Sequence, residues 1–325
     1  MKILLAESSG FSTAALAALR SVAEVIEADL DRTALLAAVA DADVLWVRLR
    51  HQIDEQVLSA GPKLKYLVSP TTGLNHLDMA AAKRRNIQVI SLRGEVEFLR
   101  DIRATAELTV GLLLSLLRRI PPALQDTQAG NWDRDKFQGR ELYGKTVGIV
   151  GYGRLGRIVA RYLQAFDTRV LVTDPELEAP GSEGAALPDG VVAVSLARLL
   201  AESDVVTLHV NLCDATEGFF GAAEFAQMKP GAWFINTARG ELVDEEAMIA
   251  ALQTDRLAGV ALDVLRDENS QGMARHKLVQ LSQSDPRVLI TPHIGGCTIE
   301  SMEKTERHLA ERLLSILAAN RSAKS

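Results

Sequence analysis

The 325-residue chain has only two cysteines, Cys213 and Cys297, with no Cys-x-x-Cys or Cys/His spacing around either. That excludes a disulfide framework and a metal site, suits a reduced, cytoplasmic setting, and makes each cysteine a small core hydrophobe. No Lys/Arg-rich run occurs and the net charge is only −6, so the footprint of a nucleic-acid partner is missing. The opening MKILLAESSGF breaks into polar residues too soon for a signal peptide. The one membrane-like stretch, Ala104–Ile120, falls short of the ~20 apolar residues a span needs. It also carries Glu107 and Arg118–Arg119, so it is expected to be a helix buried on most sides, between domains or subunits. What remains is an ordinary soluble composition, 47% apolar and 24% charged, at a length that suggests about two domains.

The segment Gly144–Asp174 organises the rest. Thr146–Val150 reads as a short apolar strand, and Gly151, Gly153 and Gly156 follow at G-x-G-x-x-G spacing, with Arg154 and Leu155 opening a helix that continues through Arg157–Phe166. A second strand, Arg169–Thr173, ends in Asp174, 18 positions beyond Gly156. The glycines supply a tight turn, close approach of backbone to a pyrophosphate, and close helix–strand packing. The helix N-terminus offers N–H groups and partial positive charge to that pyrophosphate. Asp174 sits where a ribose 2′-OH would be met and would repel a 2′-phosphate, so the pattern predicts NAD rather than NADP.

Before this segment, strands at Lys2–Ala6, Val22–Ile26, Val44–Val47, Leu64–Ser69 and Ile87–Ser91 alternate with helices at Ser12–Arg20, Thr33–Ala40, Glu55–Ser59 and Met79–Arg85. This predicts a small parallel-sheet domain with function at the strand C-terminal ends. Leu92–Arg103 is polar enough for a crossing, Pro121 and Pro122 stop the Ala104–Ile120 helix, and Gln125–Tyr143 is expected to be irregular, with Trp132 packed on the surface. Later come a loop at Ala179–Asp189 and strands at Val205–His209, Trp233–Asn236, Gly259–Asp263 and Val288–Ile290. Asn269–Ser284 reads as less regular, and Glu300–Asn320 as an amphipathic helix returning to the first domain. The fold class is α/β: two doubly wound parallel sheets. A Rossmann-type NAD-binding domain (101–297) is inserted into a flavodoxin-like substrate domain (1–100, completed by 298–325).

Three charged groups stand just beyond strand ends of the second domain: Arg239, Glu268 and His293. A guanidinium fork can hold a carboxylate bidentately, and an imidazole can exchange a proton with a carbonyl oxygen as hydride moves. A neighbouring carboxylate fixes the imidazole tautomer. The set suits interconversion of a 2-hydroxy acid and a 2-oxo acid. Asp263 could accept a hydrogen bond from a nicotinamide carboxamide. His51, His76 and His209 read by type as packing or surface histidines. Even so, His209 and Thr237, at strand ends on the same edge, also join the candidate cofactor contacts.

At this point the chain resembles the D-isomer-specific 2-hydroxyacid dehydrogenases. The matching segments are ATAELTVGLLLSLLRR, GKTVGIVGYGRLGR, FINTARGELVDEEAMIAAL, LDVLRDE and TPHIGG. The resemblance implies that Arg239 binds substrate, that Glu268 pairs with the acid/base His293, and that Asp174 meets the ribose and Asp263 the nicotinamide. It also implies that Thr72-Gly73 grips the substrate carboxylate and that the protein is a homodimer. Around Glu268, this chain has Arg266, Asp267 and Asn269 in place of the family's usual acidic and proline residues. Arg48 and Arg50, ending VLWVRLR, could face a second anionic group, as in a phosphoglycerate-like substrate. The alternative to an enzyme is a non-catalytic NAD(H)-sensing, co-repressor-like binding protein. No membrane partner is expected.

Overall fold

A computed structural model describes residues 1–178, 187–268 and 272–322. The chain divides into two compact units, 1–102 with 297–325, and 103–296. The described residues of the first unit form a five-stranded parallel sheet. Its strands are β1 (Lys2–Leu5), β2 (Glu24–Glu27), β3 (Val44–Trp46), β4 (Tyr66–Ser69) and β5 (Gln88–Ser91), in the order β2-β1-β3-β4-β5. Alternation of side chains along each strand sends Ile3, Leu5, Val44 and Trp46 to one face and Leu4, Ala6, Leu45 and Val47 to the other, and both faces are buried. Leu309, Ala310 and Leu313 of the helix Ile299–Ser322 complete the first of these faces. Within the stretch expected to be a plain crossing, Val96–Leu99 makes one helical turn.

The described residues of the second unit form a seven-stranded parallel sheet. It comprises β6 (Thr146–Val150), β7 (Arg169–Thr173), β8 (Val191–Ala193), β9 (Val205–Leu208), β10 (Ala232–Asn236), β11 (Leu257–Leu262) and β12 (Val288–Ile290). The order β12-β11-β10-β9-β6-β7-β8 reverses direction between β6 and β9, the point where an open parallel sheet leaves a crevice outside its strand ends. The helix Ala104–Leu117 buries Ala106, Thr109, Leu112, Leu113, Leu116 and Leu117 in this unit. No helix among the described residues is long and apolar enough to cross a membrane.

Four expectations need correction. Pro121 and Pro122 do not merely end a helix: after Arg119 turns left-handed at φ 54°, they occupy the opening positions of a second helix, Ile120–Gln128. Proline is favoured there because its missing N–H is unpaired in any helix start. Trp132 is not packed down but 91% exposed. The stretch after 272 is regular, with a helix at Lys277–Ser284 that buries Leu278. Both cysteines are exposed free thiols rather than core residues; the Cys213 N–H is held in a polar turn by the Thr216 hydroxyl. The expected loop 179–189 lies mostly outside the described residues.

Candidate active site

β6 ends at Val150 and runs into the turn Gly151-Tyr152-Gly153, where the helix Arg154–Gln164 begins. Gly151 has φ 93°, and a Cβ there would lie 2.6 Å from the His209 carbonyl oxygen. A Cβ on Gly156 would lie 2.2 Å from the Gly151 oxygen, so a side chain would push the helix off the turn. Around Gly153, by contrast, the Cβ position faces open space. That leaves room for a pyrophosphate against the N-terminal turn of the helix, which Arg154 and Leu155 open. Burial pushes the Arg154 pKa down, and a poorly hydrated guanidinium suits phosphate oxygens. Asp174, at the end of β7, accepts the Tyr152 N–H at 2.7 Å and the Glu176 N–H at 2.9 Å, tying the carboxylate to the glycine turn.

His209 follows β9 at the reversal point. Its Nε2 lies 3.1 Å from the Thr207 hydroxyl, its Nδ1 is buried without a partner, and burial lowers its pKa to about 4. An orphaned ring nitrogen beside an open glycine turn fits a ligand hydroxyl or amide at that place. The neutral ring has a consequence for stability. Between pH 6.5 and about 4 the unfolded chain takes up a proton that folded His209 refuses. Stability therefore declines on acidification by about 1.4 kcal/mol per pH unit from this group alone. Denaturant titrations of the protein and of His209→Asn at pH 7 and pH 5 are expected to show a smaller loss in the variant.

β10 delivers Arg239. Asn236 shapes the turn, its Nδ2 donating to the Arg239 oxygen at 2.8 Å and its Oδ1 accepting the Ala238 N–H at 3.0 Å. Thr237 is fixed by a 2.8 Å bond between its hydroxyl and that of Thr109. Burial pushes the Arg239 pKa down, opposed by the charges of Glu268 and Glu241. Directly after it, Gly240 lies flat on the Leu265–Arg266 peptide; a Cβ would stand 2.0 Å from the Leu265 carbonyl carbon.

β12 delivers His293, in a left-handed conformation at φ 53° with its N–H bonded to the Asp263 oxygen at 2.8 Å. Its Nδ1 is hydrogen-bonded to Glu268 Oε1, and both side chains are one-fifth exposed. With Nδ1 turned to a carboxylate, Nε2 is the atom left for proton exchange. Asp263 ends β11 almost fully buried, which pushes its pKa up. Its carboxylate accepts the Thr291 hydroxyl at 2.6 Å and the N–H groups of Ile294 and Gly295 at 2.9 and 2.7 Å. Asp263 thus holds the loop that carries His293, a role residue type alone did not reveal. Asn236 was missed too, although a polar residue closing an apolar strand is a signal that could have found it. No cluster of metal-ligating groups occurs among the described residues.

In the other unit, Thr72 is exposed and Gly73 half-buried on a turn beyond β4, steadied by a 2.8 Å bond from the Thr71 hydroxyl to the Gly73 oxygen. Arg48 is committed internally: Nε and Nη2 bond Glu306 Oε1 at 2.9 and 2.6 Å, and Nη1 bonds the Ser9 oxygen at 2.7 Å. Arg50 makes an exposed 3.3 Å pair with Asp29.

Residues 110–295 match the NAD binding domain of the D-isomer specific 2-hydroxyacid dehydrogenases. The chain belongs to that family. Within it, the chain is 35% identical over 288 residues to D-3-phosphoglycerate dehydrogenase of Mycobacterium tuberculosis, covering 89% of this chain and 52% of that protein. It therefore spans about half the length of the phosphoglycerate dehydrogenases it matches. Against hydroxypyruvate reductase of Thermotoga maritima the identity is 32% over 294 residues, covering 90% and 91% of the two chains. The structure of D-lactate dehydrogenase from Aquifex aeolicus, complexed with NAD and lactic acid, aligns with TM-score 0.82 at 26% identity over 99% of this chain and 97% of that one. The seven-stranded unit is accordingly this family's NAD-binding domain.

Proposed function

We propose that the protein is an NAD-dependent dehydrogenase that interconverts a small D-2-hydroxy acid and its 2-oxo acid. The observation that carries this reading is the hydrogen-bonded Glu268–His293 pair in the same unit as the buried Arg239, whose charge Glu268 supports against the cost of burial. Bound NAD would be held by the Gly151–Gly156 turn, Asp174, His209 and Thr237, and it supplies the acceptor or donor of hydride. Arg239 binds the substrate carboxylate with its planar fork. His293 Nε2 gives its proton to the carbonyl oxygen in reduction and receives it back in oxidation, while Glu268 keeps Nδ1–H directed away from the substrate. Thr72-Gly73 is the proposed second hold on the carboxylate.

The test is NADH oxidation with a panel of glyoxylate, pyruvate, hydroxypyruvate, its 3-phosphate and 2-oxoglutarate. Turnover of at least one is expected. Tight NADH binding with no turnover of any would instead favour a sensor of the cofactor.

A cytoplasmic location is part of the proposal, since two exposed, unpaired thiols suit a reducing compartment. So is a homodimer. The nine-residue helix Ile120–Gln128 buries none of its own residues, and Leu124, Trp132 and Tyr143 are 58%, 91% and 71% exposed. A helix this short is marginal in water without packing, so a second copy of the chain is the proposed cover. Light scattering is expected to give twice the 35.2 kDa chain mass, and Leu124→Glu to shift the protein towards monomer.

A further inference from the structure

The loop that carries Glu268 is anchored from behind by Glu245, a residue outside the proton-transfer pair. Glu245 opens the helix Glu245–Gln253, and its Oε1 accepts the Arg266 N–H at 2.8 Å. Its Oε2 lies 3.2 Å from His276 Nε2, and both side chains are only 16% exposed. One carboxylate therefore joins the backbone just before Glu268 to the start of the helix Lys277–Ser284.

Arg266 extends the brace. Its guanidinium donates to the Glu241 oxygen at 3.0 Å and pairs with Glu217 at 3.1 Å, gripping the turn next to Arg239 and the segment after β9. Asp267 then turns left-handed at φ 58°, and the Glu268 carboxylate is aimed so that Oε2 accepts the Leu265 N–H at 3.4 Å and Oε1 meets His293. A left-handed, non-glycine bend this close to Glu268 depends on its neighbours to hold the loop in one conformation. Glu245 is the neighbour that bonds this loop's backbone from a rigid helix.

We infer that Glu245, with His276 and Arg266 as its partners, is a positioning residue that fixes Glu268 against His293. This rests on the dehydrogenase reading above. The prediction concerns turnover rather than cofactor affinity, because none of the contacts involves the glycine turn.

Glu245→Ala is expected to lower kcat about 10-fold, the scale of loss when a reacting group shifts by a fraction of an ångström. KM for NADH is expected to stay within about twofold, since uniform binding is untouched. Glu245→Gln, which keeps an acceptor for the Arg266 N–H, is expected to recover most of the rate. The deciding measurement is a double-mutant cycle. If Glu245 acts through Glu268, adding Glu245→Ala to Glu268→Ala costs no further kcat, whereas independent contributions multiply. Full kcat in Glu245→Ala, or multiplying losses in the double variant, overturns the inference while the dehydrogenase reading stands. If Glu245→Ala fails to fold, His276→Ala in both backgrounds makes the same distinction from the other end of the bridge. A parent protein that reduces no 2-oxo acid with NADH overturns both together.

Discussion

Replacing His293 with alanine is expected to lower turnover of a 2-oxo acid by about 10²- to 10⁴-fold, the contribution of a positioned general acid–base. NADH affinity, read from its fluorescence, is expected to stay close to the parent's. The separation follows from geometry: His293 hangs from the end of β12 on a loop held by Asp263, whereas the glycine turn hangs from β6. The variant removes the proton and leaves that turn untouched. Near-normal turnover in His293→Ala removes the imidazole from the proton-transfer step and leaves the Glu268 pair a structural contact only.

Gly240→Ala is expected to be as damaging, by a different route. The added methyl would lie 2.0 Å from the Leu265 carbonyl carbon and 2.2 Å from the Arg266 nitrogen, both backbone atoms that cannot rotate aside. Overpacking of this kind costs about 3 kcal/mol, and some 2–4 °C of melting temperature accompanies each kcal/mol in a domain of this size. The strand ends carrying Arg239 and Glu268 must separate to admit the methyl, so kcat falls even where the variant folds. Calorimetry together with kcat on the folded fraction checks both effects. An unchanged melting temperature would mean that the two loops are not in contact.

The sheets were legible because their strands are runs of β-branched and aliphatic residues between turn formers, buried on both faces. Ile3 to Ala6 and Val147 to Val150 are examples. The glycine turn and the loops that bear Arg239 and His293 were legible because each directly follows an apolar strand. Features decided by tertiary contact were not. β8 is three residues long with two of them exposed, too little pattern to register. Pro121 and Pro122 could end one helix or begin another, and only the left-handed Arg119 decides. The tie between Asp263 and the His293 loop was not legible, because its carboxylate takes three hydrogen bonds from 291–295 and these contacts span about thirty residues of sequence. Glu245 stands in a helix's first turn, and its two bonds reach 21 and 31 positions along the chain, beyond any local pattern.

The buried Glu306 has a bearing on how the chain is made. Its carboxylate takes the Ser12 N–H at 2.7 Å as well as the Arg48 guanidinium, and Leu309, Ala310 and Leu313 beside it close a core begun by Ile3 and Leu5. On the ribosome, the first hundred residues emerge with that face of their sheet only partly covered, by Phe11, Ala15, Leu19 and Leu99, and the rest of its cover is synthesised about two hundred residues later. The seven-stranded unit is contiguous and can close in the meantime. Each nascent molecule therefore carries an incompletely covered apolar sheet face for the time it takes to translate the whole middle of the chain, at about 5–20 residues per second. Protection of that face during synthesis, by a chaperone or by slow pairing of β1 with its neighbours, is a requirement imposed by the order of the chain itself.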